Sequence, residues 1–480
     1  MSNATMPWTD LTQPWRFSIL GYKAGFAQPL FLGFIFISLG LGLLALIVTL
    51  RRGTRVSKAV PQRLSEVLAP GVSTVLPTLQ SSAYTAALVF FALGSGMGML
   101  IPFQAVVLSG KGFDDGSIGL ILALASAAGV VAAPLWGHLG DSVLGRSKVL
   151  MLAAAGSALA LAAFGWSVLP LITAAAWVAF AGLSNTLVPT SDAVAVNAVR
   201  LAGRGDFGRL RLLLSLGFGA AAIASGFLFD VTGYGPAPWL AAGTFLVLLL
   251  ASRFVPEAGR TTPASPVIHR RFGAMGEAFA VQPRLPLVLL TLGLGIGGLF
   301  AVFTYLPLRI EELGGSPSDV ALASGLESFA EIPGFIAAGW LARRIGLRWL
   351  FLGSALLMAG CGVTLALLTD PTLMIGVRLL TGIAYSGITV ATVLALAVLL
   401  PVSLQATAQN LNAMTGGVAG IATGLLGGLL LEVAGTSALF LVTSAGTAIA
   451  GILALRVLPR WGPTATSAAA PISAPGGSSG

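Results

Sequence analysis

The chain has 480 residues, of which 56% are hydrophobic and only 9% charged, with a mean hydropathy of +0.92. So little charge cannot coat a water-facing globule, in which about a quarter of residues are ordinarily charged. This excludes a cytosolic enzyme, a disordered protein and a secreted disulfide scaffold, and leaves an all-α polytopic membrane protein whose main partner is the lipid bilayer. The net charge of +9, from 26 Lys+Arg against 17 Asp+Glu, reads as loop topology rather than nucleic-acid binding. The single cysteine, Cys361, permits no intramolecular disulfide, and two histidines, His138 and His269, argue against a metal site.

A spanning helix needs about 20 apolar residues. In chain order, runs with few or no charges fall near 29–50, 83–109, 117–137, 149–168, 170–190, 212–229, 236–252, 286–308, 320–341, 349–368, 371–395, 405–431 and 435–455. The first is span 0 and the others spans 1 to 12. The expected organisation is an extracytoplasmic tail over 1–28, an extra span over 29–50 and a basic cytoplasmic linker over 51–82. A six-helix bundle over 83–252, a second linker over 253–285, a second six-helix bundle over 286–457 and a disordered tail over 458–480 complete it.

Positive charge orients the spans. Arg51, Arg52, Arg55, Lys58 and Arg63 precede span 1, Arg146 and Lys148 follow span 2, and Arg200, Arg204, Arg209 and Arg211 lie between spans 4 and 5. Arg253, Arg260, Arg270, Arg271 and Arg284 lie between the bundles, Arg343, Arg344 and Arg348 follow span 8, and Arg456 and Arg460 follow span 12. The opposite loops hold only Lys111 and Arg309. The arginine-rich end, with the C-terminus, is therefore expected in the cytoplasm of a bacterial cell. Span 0 is followed by a double arginine rather than a small-residue cleavage site, so it reads as a retained span and not a signal peptide; a surface-lying helix is the alternative.

Two stretches about 200 residues apart resemble each other. LGSGMGMLIPF from Leu93 matches LGLGIGGLFAVF from Leu292, and GHLGD from Gly137 matches GWLAR from Gly339. Two similar six-span halves suit a transporter with its substrate between them. The GxGxxG at Gly293 lies inside a span, where a dinucleotide turn has no strand to follow, so it reads as helix packing.

The run Gly137-His-Leu-Gly-Asp141-Ser-Val-Leu-Gly145-Arg146-Ser-Lys148 resembles the loop 2–3 signature of the major facilitator superfamily. The second copy keeps Gly339 and Gly346 but has Arg343 where Asp141 would correspond, so an aspartate-dependent conformational gate is expected only in the first half. Pro189-Thr-Ser-Asp192-Ala, Asp206-Phe-Gly208-Arg209-Leu-Arg211 and Ser215-Leu-Gly217-Phe218 resemble the branch of lactose, phenylpropionate and nucleoside:proton symporters, as do Glu331-Ile-Pro333 and, more loosely, Gln409 with Gly427-Gly428. That resemblance implies a proton-coupled carrier of a small organic solute, with Asp192 and Arg211 pairing to hold substrate hydroxyls and Phe218 stacking beside them. Either charge could instead be structural, and Phe218 could merely pack.

A charge at the bilayer centre costs roughly 2.5–3.5 kcal/mol on insertion scales, so buried charges are functional candidates. Glu327 and Glu331 lie one turn apart on one face of span 8. Two carboxylates so close in a low dielectric do not both ionise easily, which suits a proton carrier. Arg378 in span 10 is the natural partner of one of them, whether as a switch or as a fixed ion pair. Span 10 has no His or Glu, so the lactose permease's proton site is not reproduced. Gln104, Asn185, Gln409 and Asn412 are further substrate-binding candidates, or interhelical hydrogen bonds.

The leading expectation is a proton symporter working by alternating access, monomeric, with no cofactor beyond the proton gradient. Proton-driven efflux of sugars or drugs and a non-transporting receptor or assembly factor are the rivals. With no HExxH, no GxSxG within a span and no histidine well inside one, nothing supports an intramembrane enzyme.

Overall fold

The computed structural model describes residues 18–19, 22–23, 72–202, 207–255 and 267–460. The chain divides into two units, Met1–Glu66 and Val67–Gly480. In the first, the described residues form one antiparallel pair, Ser18–Ile19 with Tyr22–Lys23. The expected span at 29–50, most of the linker at 51–82 and the tail beyond 460 lie outside the described residues.

The second unit is helical throughout its described residues. Span 1 is Val72–Gly98, continued after a tight turn at Ile101–Phe103 by Gln104–Gly110. Span 2 is Asp115–His138, span 3 Arg146–Trp166, and span 4 is Pro170–Ser184 and Leu187–Ala202. Span 5 is Phe207–Thr232 and span 6 Ala237–Ser252. After a helix at Val267–Val281 come span 7, Leu285–Glu312, span 8, Pro317–Ile345, span 9, Leu347–Leu367, and span 10, Pro371–Leu399. Spans 11 and 12 lie within Gln405–Val457, separated by a non-helical Gly435.

Three expected boundaries change. Helix 1 begins at Val72, not 83: Val72–Ser82 carries no charge and its Pro77 does not interrupt the helix, although the stretch is too polar to read as a membrane run. Span 4 continues past 190 to Ala202, since helix outlasts the apolar stretch. The linker at 253–285 holds a helix of its own, whose Ala278 is buried against the second half.

Some helix starts, those of spans 2, 8 and 10, are closed by the short polar side chains that favour caps. Asp114 accepts from the Ser117 backbone N–H at 2.7 Å, and this contact together with the Ser117 side chain holds its carboxyl below the usual range. Ser316 and Asp319 form a reciprocal capping box at span 8. Lys111 Nζ donates to the last carbonyls of span 3, Gly165 O at 3.0 Å and Ser167 O at 3.2 Å, and its burial pushes the ammonium's pKa down.

The sequence repeat is a structural one. The glycines with positive φ among the described residues fall into pairs about 202 residues apart: Gly112 with Gly314, Gly145 with Gly346, and Gly233 with Gly435. Gly145 at φ 88°, ψ 156° and Gly346 at φ 85°, ψ 166° start spans 3 and 9 with one backbone geometry, one that side chains with a Cβ rarely adopt.

The halves meet at the arginine-poor end. Span 2 packs on span 11 and span 5 on span 8. A Cβ on Gly428 would meet Asp115 O at 3.1 Å, and one on Gly226 would meet Pro317 O at 2.8 Å. Such close backbone approach is what small residues permit in apolar surroundings.

Candidate functional site

Span 8 reaches span 10 through small residues. A Cβ on Gly382 would meet Glu327 O at 2.6 Å, and Ser386 Oγ donates to Glu331 O at 3.1 Å. This approach brings together the two charges expected to pair. Arg378 Nη2 donates to Glu327 Oε2, Thr381 Oγ1 donates to Glu327 Oε1 at 2.8 Å, and Arg378 Nη1 donates to Thr381 Oγ1 at 3.2 Å. Glu327 is 3% exposed and Arg378 1%. Two charges are thus removed from solvent together, each satisfying the other, which is the condition for tolerating them at this depth. The Phe303 ring lies 6.0 Å from the guanidinium, and Phe303, Leu306 and Ile310 leave no room for a ligand beside it.

Glu331, one turn further towards the arginine-rich end, is half-buried and outside that ion pair. Its neighbour on span 10 is Tyr385, whose ring meets Phe335 edge-on at 6.0 Å. The Arg211 guanidinium of the first half lies within electrostatic reach of Tyr385. Arg211 Nη1 donates to Asp192 Oδ1 at 2.8 Å, with side chains 40% and 33% exposed. The structure therefore joins Asp192 with Arg211 and sets them opposite the Tyr385 and Glu331 side of the second half.

The other candidates are more scattered. Phe218 is half-buried two turns along span 5 from Arg211, with its carbonyl against Gly98 of span 1. Gln104 is half-buried at the restart of span 1. Asn185 is exposed, with its amide against Gly129 of span 2. On span 11, Gln409 is exposed and Asn412 half-buried. The sequence reading missed Thr381 and Tyr385. Thr381 stands three residues after Arg378, the spacing that faces two side chains the same way, whereas nothing in its apolar run distinguishes Tyr385.

The MFS_1 like family matches residues 84–442, and a maltose permease of Geobacillus stearothermophilus is 31% identical over 78% of this chain and 92% of its own length. The chain belongs to the major facilitator superfamily. It is a multi-pass membrane protein and a secondary transporter. The multidrug resistance protein MdtG of Salmonella arizonae is 27% identical over 53% of this chain and 63% of its own. Among solved structures, the nucleoside transporter NupG superposes with a TM-score of 0.64 at 16% identity, over 79% of this chain and 98% of that one. A D-xylose-proton symporter does so at 0.61 and 14%, over 79% and 98%. At these identities both speak to the fold alone.

The superfamily's loop 2–3 motif is built as a wide helical turn, Leu139–Val143, after which Gly145 opens span 3. Arg146 Nη1 reaches Ala193 O of span 4 at 3.5 Å, Lys148 is exposed, and Gly137 has open space where a side chain would stand. The Asp141 side chain lies outside the described residues.

Proposed function

We propose that the chain is a proton-coupled symporter of a small, neutral, hydroxyl-rich solute of the sugar class, working by alternating access with its arginine-rich end in the bacterial cytoplasm. The observation that carries the proton reading is the inequality of the two span 8 acids. Glu327 is held by Arg378 and Thr381, whereas Glu331 stands outside the pair and half-buried. Glu331 is therefore the acid that exchanges a proton, and the Glu327–Arg378 pair is the fixed charge it senses. A neutral Glu331 allows spans 8 and 10 to close upon it. An ionised one competes for Arg378 and favours the state in which water reaches it. Asp192 and Arg211 supply a donor–acceptor fork for neighbouring hydroxyls. The maltose permease's similarity along 92% of its length supports the sugar class.

The similarity to MdtG supports a second reading, proton-driven efflux. Proteoliposomes with an imposed pH gradient separate the two. In symport, labelled disaccharide accumulates on the side towards which protons flow, and in efflux it moves the opposite way. Glu331→Gln is expected to abolish uphill accumulation while leaving solute exchange at equal concentrations. Accumulation surviving in Glu331→Gln refutes the assignment of the proton to that residue.

A further inference from the structure

Two acidic side chains at the arginine-poor end stand outside the substrate and proton sites described above. Asp230 closes span 5, and its Oδ1 accepts from the backbone N–H of Ser318, in the first turn of span 8, at 2.8 Å. The bond crosses from one half to the other. Glu432 closes span 11, and its Oε2 occupies the space that a side chain on Gly116 would fill, in the first turn of span 2. This contact also crosses between halves, in the opposite sense.

The two contacts are copies. Asp230 and Glu432 are 202 residues apart, as are their targets Gly116 and Ser318. One turn earlier, Gly226 and Gly428, again 202 apart, bring the helices together against Pro317 O and Asp115 O, themselves 202 apart. Each half thus carries Gly-x-x-x-Asp/Glu at the end of its fifth span and lays it on the start of the other half's second span. A helix start presents free N–H groups and the positive end of the helix dipole, so a carboxylate there is attracted.

We propose that Asp230 and Glu432 form a two-fold latch that holds the arginine-poor end of the carrier shut. The glycine beneath each sets the approach, and the carboxylate closes it. Opening that end pulls both acids off the opposite half's helix starts, so both contacts are lost in a single rocking step. Other charged groups face the same ground. Glu432, Asp114 and Glu312 all lie within electrostatic reach of Asp115, with Arg309 bound to Glu312 at 3.3 Å, and Asp230 and Glu311 both lie within reach of Tyr234. The like charges there oppose the Glu432 contact, which keeps the latch weak enough to release.

The inference rests on the alternating-access reading, but its test does not need transport. Spin labels on Val168→Cys, between spans 3 and 4, and Thr372→Cys, in the first turn of span 10, both exposed at this end, are placed in the full chain with Cys361→Ala, in lipid nanodiscs. The distance distribution reports the gate directly. Asp230→Asn and Glu432→Gln are each expected to raise the wide-to-narrow ratio about threefold to fivefold, a modest effect because both acids are exposed. The double variant is expected to give about the product. Gly116→Ala, which displaces the Glu432 carboxylate, is expected to match Glu432→Gln and to add nothing to it. Unchanged distributions in folded single and double variants overturn the latch, and so does a shift with one acid only. Absence of transport in the unaltered protein would sink the carrier reading and leave these distances standing.

Discussion

The Glu327–Arg378 pair gives the sharpest test of how this fold holds charge. Both side chains are nearly inaccessible, at 3% and 1% exposure. Removing one partner of such a pair typically costs 3–5 kcal/mol, because the survivor is left charged in a low dielectric. Burying a lone charge at a helix centre costs roughly 2.5–3.5 kcal/mol by an independent scale. Arg378→Met, close in length and apolar, is therefore expected to destabilise by about 3 kcal/mol, a more than hundredfold change in the folding equilibrium. Glu327→Gln keeps a group for Thr381 to address but strands the guanidinium, and is expected to cost about the same. The double variant Glu327→Leu with Arg378→Met removes both charges and is expected within about 1.5 kcal/mol of the parent. Denaturant unfolding in mixed micelles, closed as a double-mutant cycle with Glu327→Leu alone, reads the coupling directly. Single variants within about 0.5 kcal/mol of the parent, or losses that simply add, would refute the claim that each charge exists to satisfy the other.

Three further outcomes are expected. Arg211→Lys keeps the charge but loses the planar fork towards Asp192, and is expected to raise the apparent KM for solute about tenfold in the proteoliposome assay, a change worth about 1.4 kcal/mol; an unchanged KM would remove the pair from the solute site. Gly145→Ala and Gly346→Ala, at φ 88° and 85°, are expected to lose roughly 1–2 kcal/mol each in the same unfolding assay, whereas Gly353→Ala, in mid-helix with open space around it, is expected to gain about 0.5–1 kcal/mol. Asp114 is held below its ordinary value by Ser117, so its cap adds stability above the ordinary carboxylate range and loses it as pH falls through the lowered value. The stability gap between the parent and Asp114→Ala is expected at neutral pH and to vanish in strong acid; a gap independent of pH would mean that the carboxylate's charge plays no part.

Apolar run length was enough to read spans 1 to 12, because in a bilayer every backbone polar group is satisfied inside its own helix. It failed where that constraint ends. The helix at Val72–Ser82 and the far end of span 4 continue beyond the apolar stretch, and Val267–Val281 is a helix inside a basic linker. The partnership of Arg378 with Glu327 was legible, since buried charge is so scarce that the partners are few. Which glutamate took the arginine was not, because the i, i+4 pair shares one face and only the close approach at Gly382 selects Glu327. Asp230 and Glu432 were invisible as a pair, because the groups they meet are backbone atoms, which carry no residue signature.

The repeat separates scaffold from chemistry. Backbone devices recur in both halves: the glycine turns, the close crossings at Gly226 and Gly428, and the acids four residues beyond them. The buried charges do not. Counting back 202 residues, Glu327, Glu331 and Arg378 correspond to Ala125, Gly129 and Ala176, and counting forward, Asp192 and Arg211 correspond to Leu394 and Ala413. A rocking motion needs equal halves, since each gate is built from the same elements in exchanged roles. Coupling a proton to a solute needs unequal ones, since two different ligands have to be sensed. Under the proposed symport, the ion pair with its spare acid in the second half and the Asp192–Arg211 pair in the first divide those tasks. Neutralising a latch acid is therefore expected to move the gate without changing solute affinity within a fixed state, whereas changing Arg211 does the reverse.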